Sequence, residues 1–524
     1  MQDEEKYAVE PKIAVSPSGS GSNEASSPQD GLQGSQSGRG ILGTLRGWEA
    51  AMDRKIGVET HGIERRRPED RDPNYASFSN QAVMFLMWMS ATTNLSCFTT
   101  GFLGWELGLD LWRSIVIIIF SSLIGSAVTG WCATMGPGTG LRQVSISRYS
   151  IGWWPSKVIA VLNVIEQIGW SSVGCITSGQ ALSAVSGGKL GTELGVIIAA
   201  ICGFIVSFVG LKAVFTYEKF AGLVIALIFV IMYGYAGHFA DVAAPPTVSG
   251  ATLSGTALTL FAALYGSSAS WCSIVSDYYV EYPVNTSKVK VFLYTTCGIG
   301  LPTSLGMILG ALCGSALNNK LDWLDAWDTG IGFFIQKMVH PIGFAKFLLV
   351  LLAFSGIAMN AIALYSAGLS VQQFARPLSV VPRFVWTCAM FVLIILLALV
   401  GRDQLLTFLQ NFLSLLGYWN TSFFVILCTE HYLYRQGGKG AGFEGYDLEA
   451  WNDPERLPAG WAGGLAFAAG IAGCVVGMSE TWYVGALAAL IGEDGGDIGN
   501  QLAFMFTLVA FVPARYLERK YTGK

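Results

Sequence analysis

After residue 80 the chain is built from recurring apolar runs of about 20 residues, each long enough as a helix to cross a hydrocarbon core about 30 Å thick. Twelve are legible, at 81–103, 109–134, 155–185, 193–214, 219–237, 256–277, 289–316, 342–371, 383–401, 403–430, 459–478 and 498–515. In lipid, backbone amides and carbonyls must be satisfied within the segment, which for runs of this length means helices. The chain therefore reads as an all-α polytopic membrane protein with 12 transmembrane helices. Its polar cover is thin and unevenly spread. Charged residues make up 13% of the sequence, against roughly 25% in soluble domains. Residues 1–80 alone hold 10 of the 32 Lys/Arg and 13 of the 36 Asp/Glu.

Several function classes fall away. A net charge of −4 without a basic block argues against nucleic acid as a partner. His61, His238, His340 and His431 are scattered, with no cysteine at metal-ligand spacing, so no metal is expected. The cysteines, among them Cys97, Cys132, Cys175 and Cys272, lie inside apolar runs and read as small buried hydrophobes. There is no phosphate-binding G-x-x-x-x-G-K-[ST] loop. The start MQDEEKYAVE has no apolar core, so no cleavable signal peptide is expected. Neither a nucleophile–base pair nor a carboxylate cluster sits within the runs, so the chain is not expected to be an enzyme.

Residues 1–45, rich in Gly, Ser, Gln and Pro, read as a disordered cytosolic tail, and 46–80 as a cytosolic juxtamembrane segment. With the N-terminus inside, the cytosolic loops collect Arg142, Arg148, Lys157, Lys212, Lys219, Lys288, Lys290, Arg376, Arg383, Arg435, Lys439 and Arg456. The outer loops hold only Lys189, Lys320, Lys337 and Arg402. This bias places both termini in the cytosol, with 516–524 as a cytosolic end.

Two runs are interrupted by small and polar residues in mid-span: Met89–Asn94 in the first and Gly266–Trp271 in the sixth. Such stretches are poor helix formers. Paired interruptions at matching places in two halves point to a midplane site in an inverted-repeat transporter. They match if 81–237 and 256–430 are the repeats and 459–515 carries two appended helices.

Glu166 is the acid that falls deep inside a run. A carboxyl there is costly and normally faces a cavity or a partner; it is the candidate for proton coupling, or for accepting hydrogen bonds from an amino-substituted heterocycle. Asn163 and Gln167 flank it, and Trp170 lies one turn on. Trp170 and Trp271 sit in mid-span, away from the interfacial belts where tryptophan gathers, and suit a flat heteroaromatic substrate stacked between them. Asn360 offers two donors and two acceptors to a base edge, and Ser355 a hydroxyl for an ion site. Asn94, Asn411 and Asn420 rank lower. Asp277, at the cytosolic end of the sixth run, reads as gating or structural.

The segments VETHGIERRRPEDR, WMSATTNLSCFTTG, GPGTGLRQVSISRYSIG, SDYYVEYP, NAIALYSAGLSVQ, CTEHYLYR and YVGALAALIGEDGGDIGNQLAF occur in this order across residues 55–520. Together they resemble the fungal purine–cytosine permease branch of the nucleobase–cation symporter family. The resemblance implies a five-plus-five inverted-repeat fold, a plasma-membrane setting and proton-driven uptake of purine and cytosine nucleobases, with no cofactor. It places the substrate residues on Ser90, Trp170, Trp271 and Asn360. Where the family's base transporters carry an amide after the third-helix tryptophan, this chain has Gly174, a departure that brings forward vitamin B6 as the alternative substrate. Helix eight supplies one hydroxyl, Ser355, beside Phe354 where sodium-coupled relatives have two, which favours protons over sodium. A non-transporting nutrient receptor is the competing class.

Overall fold

Helices in this chain are apolar on nearly every face, so burial among other helices or in lipid, not one amphipathic stripe, decides where they pack. The computed structural model describes residues 41–56, 62–71, 73–209, 211–435 and 443–524. The chain divides into two compact units, Met1–Gly47 and Trp48–Lys524, and all the long apolar helices belong to the second. The expected tail falls, for residues 1–40, outside the described residues. The boundary expected at residue 45 lies instead within a helix, Ile41–Ile56. Leu45, Trp48, Met52 and Ile56 recur there at helical spacing, which the Gly/Ser-rich stretch before them lacks.

The main helices are α1 (Phe78–Thr92), α2 (Leu95–Thr100), α3 (Leu111–Ala133), α4 (Ser156–Val185), α5 (Thr192–Val209), α6 (Leu211–Ala236), α7 (Gly250–Ala269), α8 (Lys288–Leu317), α9 (Ile342–Phe374), α10 (Arg383–Gly401), α11 (Leu405–Thr429), α12 (Trp461–Gly477) and α13 (Gly499–Thr522). Among the described residues, seven helices are long and apolar enough to cross a membrane, and Thr192–Ser207 and Trp461–Gly477 are shorter apolar helices. Two short helices, Leu321–Thr329 and Ile331–Met338, and an antiparallel pair, β1 (Ser479–Glu480) with β2 (Tyr483–Val484), fill connections that read as loops in the sequence.

The first interruption falls at the end of the expected Met89–Asn94 stretch, since α1 continues through Thr92. Asn94 is extended (φ −144°, ψ 170°) between α1 and α2. Its Oδ1 accepts from the Cys97 amide at 2.8 Å and its Nδ2 donates to the Ala91 carbonyl at 2.8 Å, so one side chain stitches both sides of the break. The Leu95 amide donates to Ser355 Oγ of α9 at 3.1 Å. Backbone freed in an apolar setting is thereby satisfied.

The second interruption lies later than Gly266–Trp271. Gly266–Ala269 remain α-helical, and 3-10 turns take over at Ser270–Ser273 and Val275–Tyr278. Gly266 is small for packing: a Cβ there would stand 1.9 Å from the Leu413 carbonyl oxygen of α11. Close approach also joins α4 to α9, where Cβ atoms on Gly174 and Gly356 would lie 2.9 Å and 2.3 Å from each other's helix carbonyls. Gly470 and Gly473 of α12 receive Thr507 and Leu502 of α13, and Gly477 receives Leu502 and the preceding Ile498, in the same way, the small-residue contact that lets helices touch in lipid.

The foot of α11 carries a buried ionic knot. Arg515 donates to both oxygens of Glu430, each at 2.8 Å, and to Glu518 at 2.8 Å. Arg435 adds a bond to Glu430 at 2.9 Å, and Glu518 accepts from the Gly460 amide at 3.0 Å.

Candidate functional site

The two interruptions face α4, and the chemistry gathers between them. Glu166 is fully buried. Its Oε2 accepts from Asn420 Nδ2 at 2.8 Å; its Oε1 accepts from Ser273 Oγ and Gln167 Nε2, each at 3.3 Å. Asn163 extends the network: its Oδ1 accepts from Ser273 at 2.9 Å and Gln167 at 3.0 Å, and its Nδ2 donates to Ser370 at 2.8 Å. The Cys272 thiol donates to Asn420 Oδ1 at 3.2 Å. Every partner is neutral, and among the described residues Glu166 has no ion pair. Gln167 Oε1 is buried without a partner.

Beside the carboxylate stands an aromatic group. Trp170 and Trp271 stack on each other, ring centroids 5.5 Å apart and planes 16° apart. Trp170 Nε1 donates to Ser270 Oγ at 3.3 Å, fixing the indole to the start of the second interruption. Trp88 meets Trp271 edge-on at 5.6 Å and donates to Tyr279 OH at 3.0 Å. Tyr278 and Phe412 close the group edge-on, against Trp88 at 5.6 Å and Trp170 at 5.7 Å.

This arrangement corrects the expected sandwich. A third ring between two indoles needs their planes roughly 7 Å apart, twice the 3.5 Å contact distance; these two already touch. A flat ligand would therefore lie on an outer face of the pair, or displace one ring.

Four other expected residues stand elsewhere. Ser90 packs on α6, where a Cβ on Gly222 would meet its backbone at 2.8 Å. Asn360 packs on α5, its Nδ2 lying 2.3 Å from where a Gly203 Cβ would be, and neither of its amide atoms has a hydrogen-bond partner. A turn of about 100° per residue separates Asn360 from Met359, and it is Met359 that touches Asn94. Gly174 is the α4–α9 contact, not a wall: an amide there would collide with Gly356 and Met359. Asn411 lies outside the network altogether, bonded to Thr481 through both its amide atoms.

Asn94 and Ser355 serve the first interruption as described, the Ser355 hydroxyl also donating to Leu352 at 2.6 Å. Asp277 is a structural anchor: its carboxylate accepts from the Gln143 amide at 2.9 Å, and its carbonyl from Arg142 at 2.6 Å.

The sequence reading missed Trp88, Ser270, Ser273 and Tyr278, and ranked Asn420 too low. A signal for Trp88 was present, since it immediately precedes the polar stretch of the first run. Ser273 carried none, because its role depends on the exact residue at which α7 gives way to a 3-10 turn.

Residues 78–493 match the family described as permease for cytosine/purines, uracil, thiamine, allantoin. The vitamin B6 transporter TPN1 of Saccharomyces cerevisiae is 31% identical, over 91% of this chain and 90% of that protein. The purine-cytosine permease fcyB of Emericella nidulans is 33% identical, over 90% of this chain and 91% of its own. Among solved structures, Mhp1, a nucleobase-cation-symport-1 family transporter with bromovinylhydantoin bound in a closed conformation, superposes with a TM-score of 0.61. It shares 16% identity, covering 84% of this chain and 93% of that one, and shows the fold.

Proposed function

Because the chain belongs to the family of permeases for cytosine/purines, uracil, thiamine and allantoin, we propose that it is a proton-coupled symporter importing a flat nitrogen heterocycle, a purine or cytosine nucleobase, across the plasma membrane. The full reading has twelve spans, a five-plus-five inverted repeat with two appended helices, and both termini in the cytosol. One observation carries the function: a buried carboxylate with only neutral partners stands beside a stacked indole pair at the junction of two broken helices.

The geometry suits both parts of the task. An indole face offers stacking to any flat heterocycle, and Asn420, Gln167 and Ser273 offer amide and hydroxyl groups to its edge. Glu166 is where a proton acts. Ionised, it takes three donors. Protonated, it needs an acceptor, and Gln167 supplies one by turning its unpartnered Oε1 into the place of its Nε2. Coupling then requires that proton and substrate favour the same conformation. Sodium ranks second, because the one Ser355 hydroxyl is already engaged, accepting from the Leu95 amide and donating to the Leu352 carbonyl of its own helix.

A second reading, vitamin B6 as substrate, is favoured by Gly174. The α4–α9 contact leaves no room there for a base-reading amide, and a site without that amide cannot reject near-analogues by leaving it unpaired. Uptake of labelled cytosine, adenine and pyridoxine in cells lacking their own permeases, at acidic and neutral pH with and without a protonophore, tests both. Acid-stimulated, protonophore-sensitive uptake of a base supports the first reading. Uptake of pyridoxine alone supports the second. No uptake of any of them by protein at the cell surface would reopen the receptor class. Trp170→Ala is expected to lower uptake at least tenfold, by removing one stacking face.

A further inference from the structure

A cavity of about 310 Å3 lies apart from the tryptophan pair, where the start of α4 meets the turn after α9 and the segment around Asn452. Three cations from three separate elements line it: Arg148, Lys157 and Arg376. All three gather over one indole, Trp153, at 5.1, 5.8 and 5.7 Å, and Lys157 also lies 4.0 Å over Trp154. Among the described residues none has a carboxylate partner. Arg148 donates to the Trp451 carbonyl at 3.2 Å, to Asn452 Oδ1 at 3.0 Å and to the Gln373 carbonyl at 3.0 Å; Arg376 donates to the Asn452 carbonyl at 3.0 Å.

Three acids of the same face are engaged elsewhere. Asp447 pairs with Arg456, Glu449 with Arg65 and Arg67, and Asp453 caps the Glu455 amide. Cation–π contacts offset only part of the mutual repulsion of three like charges. Burial, and then Arg376, lower the Arg148 guanidinium to about 10. A further donor, Gln373 Nε2, is buried in the cavity wall without a partner. Such a set lacks one thing, a multiply charged anion with several acceptor oxygens, and a phosphate monoester supplies it.

The source of that phosphate is indicated by what adjoins the cavity. Trp154, Val158, Val161 and Ile165 are exposed by 65, 51, 42 and 57% and recur at helical spacing, so an apolar stripe runs along α4 from the cavity mouth. We propose that the cavity binds the phosphorylated headgroup of an anionic membrane lipid, whose acyl chain lies along this stripe. The headgroup would tie α4 to the turn after α9 by neutralising Lys157 and Arg376 together.

The test uses the full chain in nanodiscs of phosphatidylcholine, alone or with a few per cent phosphatidylinositol 4-phosphate, and counts retained lipid by native mass spectrometry beside the thermal midpoint. One retained phosphoinositide per chain and a midpoint raised by several degrees are expected. Lys157→Gln/Arg376→Gln should weaken retention at least tenfold, while Lys189→Gln, at the other end of α4, should not. Should the double variant fail to fold, the half-buried Lys157→Gln alone is expected to weaken retention severalfold. Phosphatidylglycerol, a singly charged diester, should be retained far less. Equal retention of phosphatidylglycerol, or undiminished retention by the variants, would overturn the site. Equal stabilisation by free inositol phosphate would overturn the lipid as its source.

Discussion

Glu166 and Glu430 are both fully buried carboxylates, yet their surroundings are opposites. Glu430 is held by two guanidiniums, one of them bidentate, at a helix foot. Glu166 is held by two amides and a hydroxyl, all neutral, between two broken helices. An ion-paired carboxylate has its charge fixed by its partners, so its use is to lock α11 to α13. A carboxylate among neutral donors has nothing to fix its charge, so a proton can. The difference separates a clamp at Glu430 from the switch proposed at Glu166, two groups that composition makes alike.

The comparison breaks most sharply at Arg515. Arg515→Ala leaves Glu430 buried and Glu518 unpaired, and is expected to cost about 3–5 kcal/mol. Thermal unfolding of the purified protein and its level at the cell surface would both register the loss. If clamp chemistry is the right account, Glu430→Gln with Arg515→Gln should lose less than Arg515→Ala alone, because only Glu518, and no longer Glu430 as well, stays buried without the guanidinium that both share. A double variant as damaged as the single one would mean that side-chain packing, not charge, holds this foot.

Around Glu166 the corresponding weak point is contact rather than charge. Gly174→Asn pushes a side chain against Gly356 and Met359, and overpacking of this kind costs about 1–3 kcal/mol. Wild-type stability in this variant would show that α4 and α9 can separate, and would return Gly174 to the substrate wall.

Glu166→Gln comes next, with a small effect on stability and a large one on coupling. The substitution keeps the shape and the acceptor for Asn420, so a change below about 1 kcal/mol is expected. Uptake should lose its acceleration by acid while substrate binding survives. Acid-stimulated uptake in Glu166→Gln would remove the switch from this residue.

How much of this the sequence showed follows from the range of the forces involved. The apolar runs and the Asn94 break are local properties, set by side chains a few residues apart, and were legible. Glu166, Trp170 and Trp271 were legible too, because a charge or a mid-span indole is costly enough to stand out singly. The facing of Ser90, Asn360 and Gly174 was not, since it depends on which neighbouring helix carries a glycine opposite, as Gly222, Gly203 and Gly356 do. The clamp at Glu430 was hidden for the same reason: Arg515 lies 85 residues away, and only packing brings the two together.

A third carboxylate sets the smallest test. Glu480, on β1 beyond the end of α12, is 3% exposed and has neither the guanidiniums of Glu430 nor the amides of Glu166. Its Oε1 accepts from Tyr418 OH at 3.2 Å, its Oε2 has no partner, and the same hydroxyl bonds Asp497. Burial, and then the charge of Asp497, push the Glu480 carboxyl up to about 9; burial raises Asp497 to about 6. A raised carboxyl means that the folded chain keeps a proton the unfolded chain has released. Stability should therefore fall as pH rises from the ordinary carboxyl value of 4.5 toward about 9, and level off above it. Thermal midpoints across that window are expected to decline by a few degrees in the wild type and, in Glu480→Gln, to flatten above about pH 6, where Asp497 has titrated. A variant with the same slope as the wild type would place the titration on another group. A midpoint that rises with pH would mean that Glu480 has a cationic partner, and that it belongs with Glu430 among the clamps.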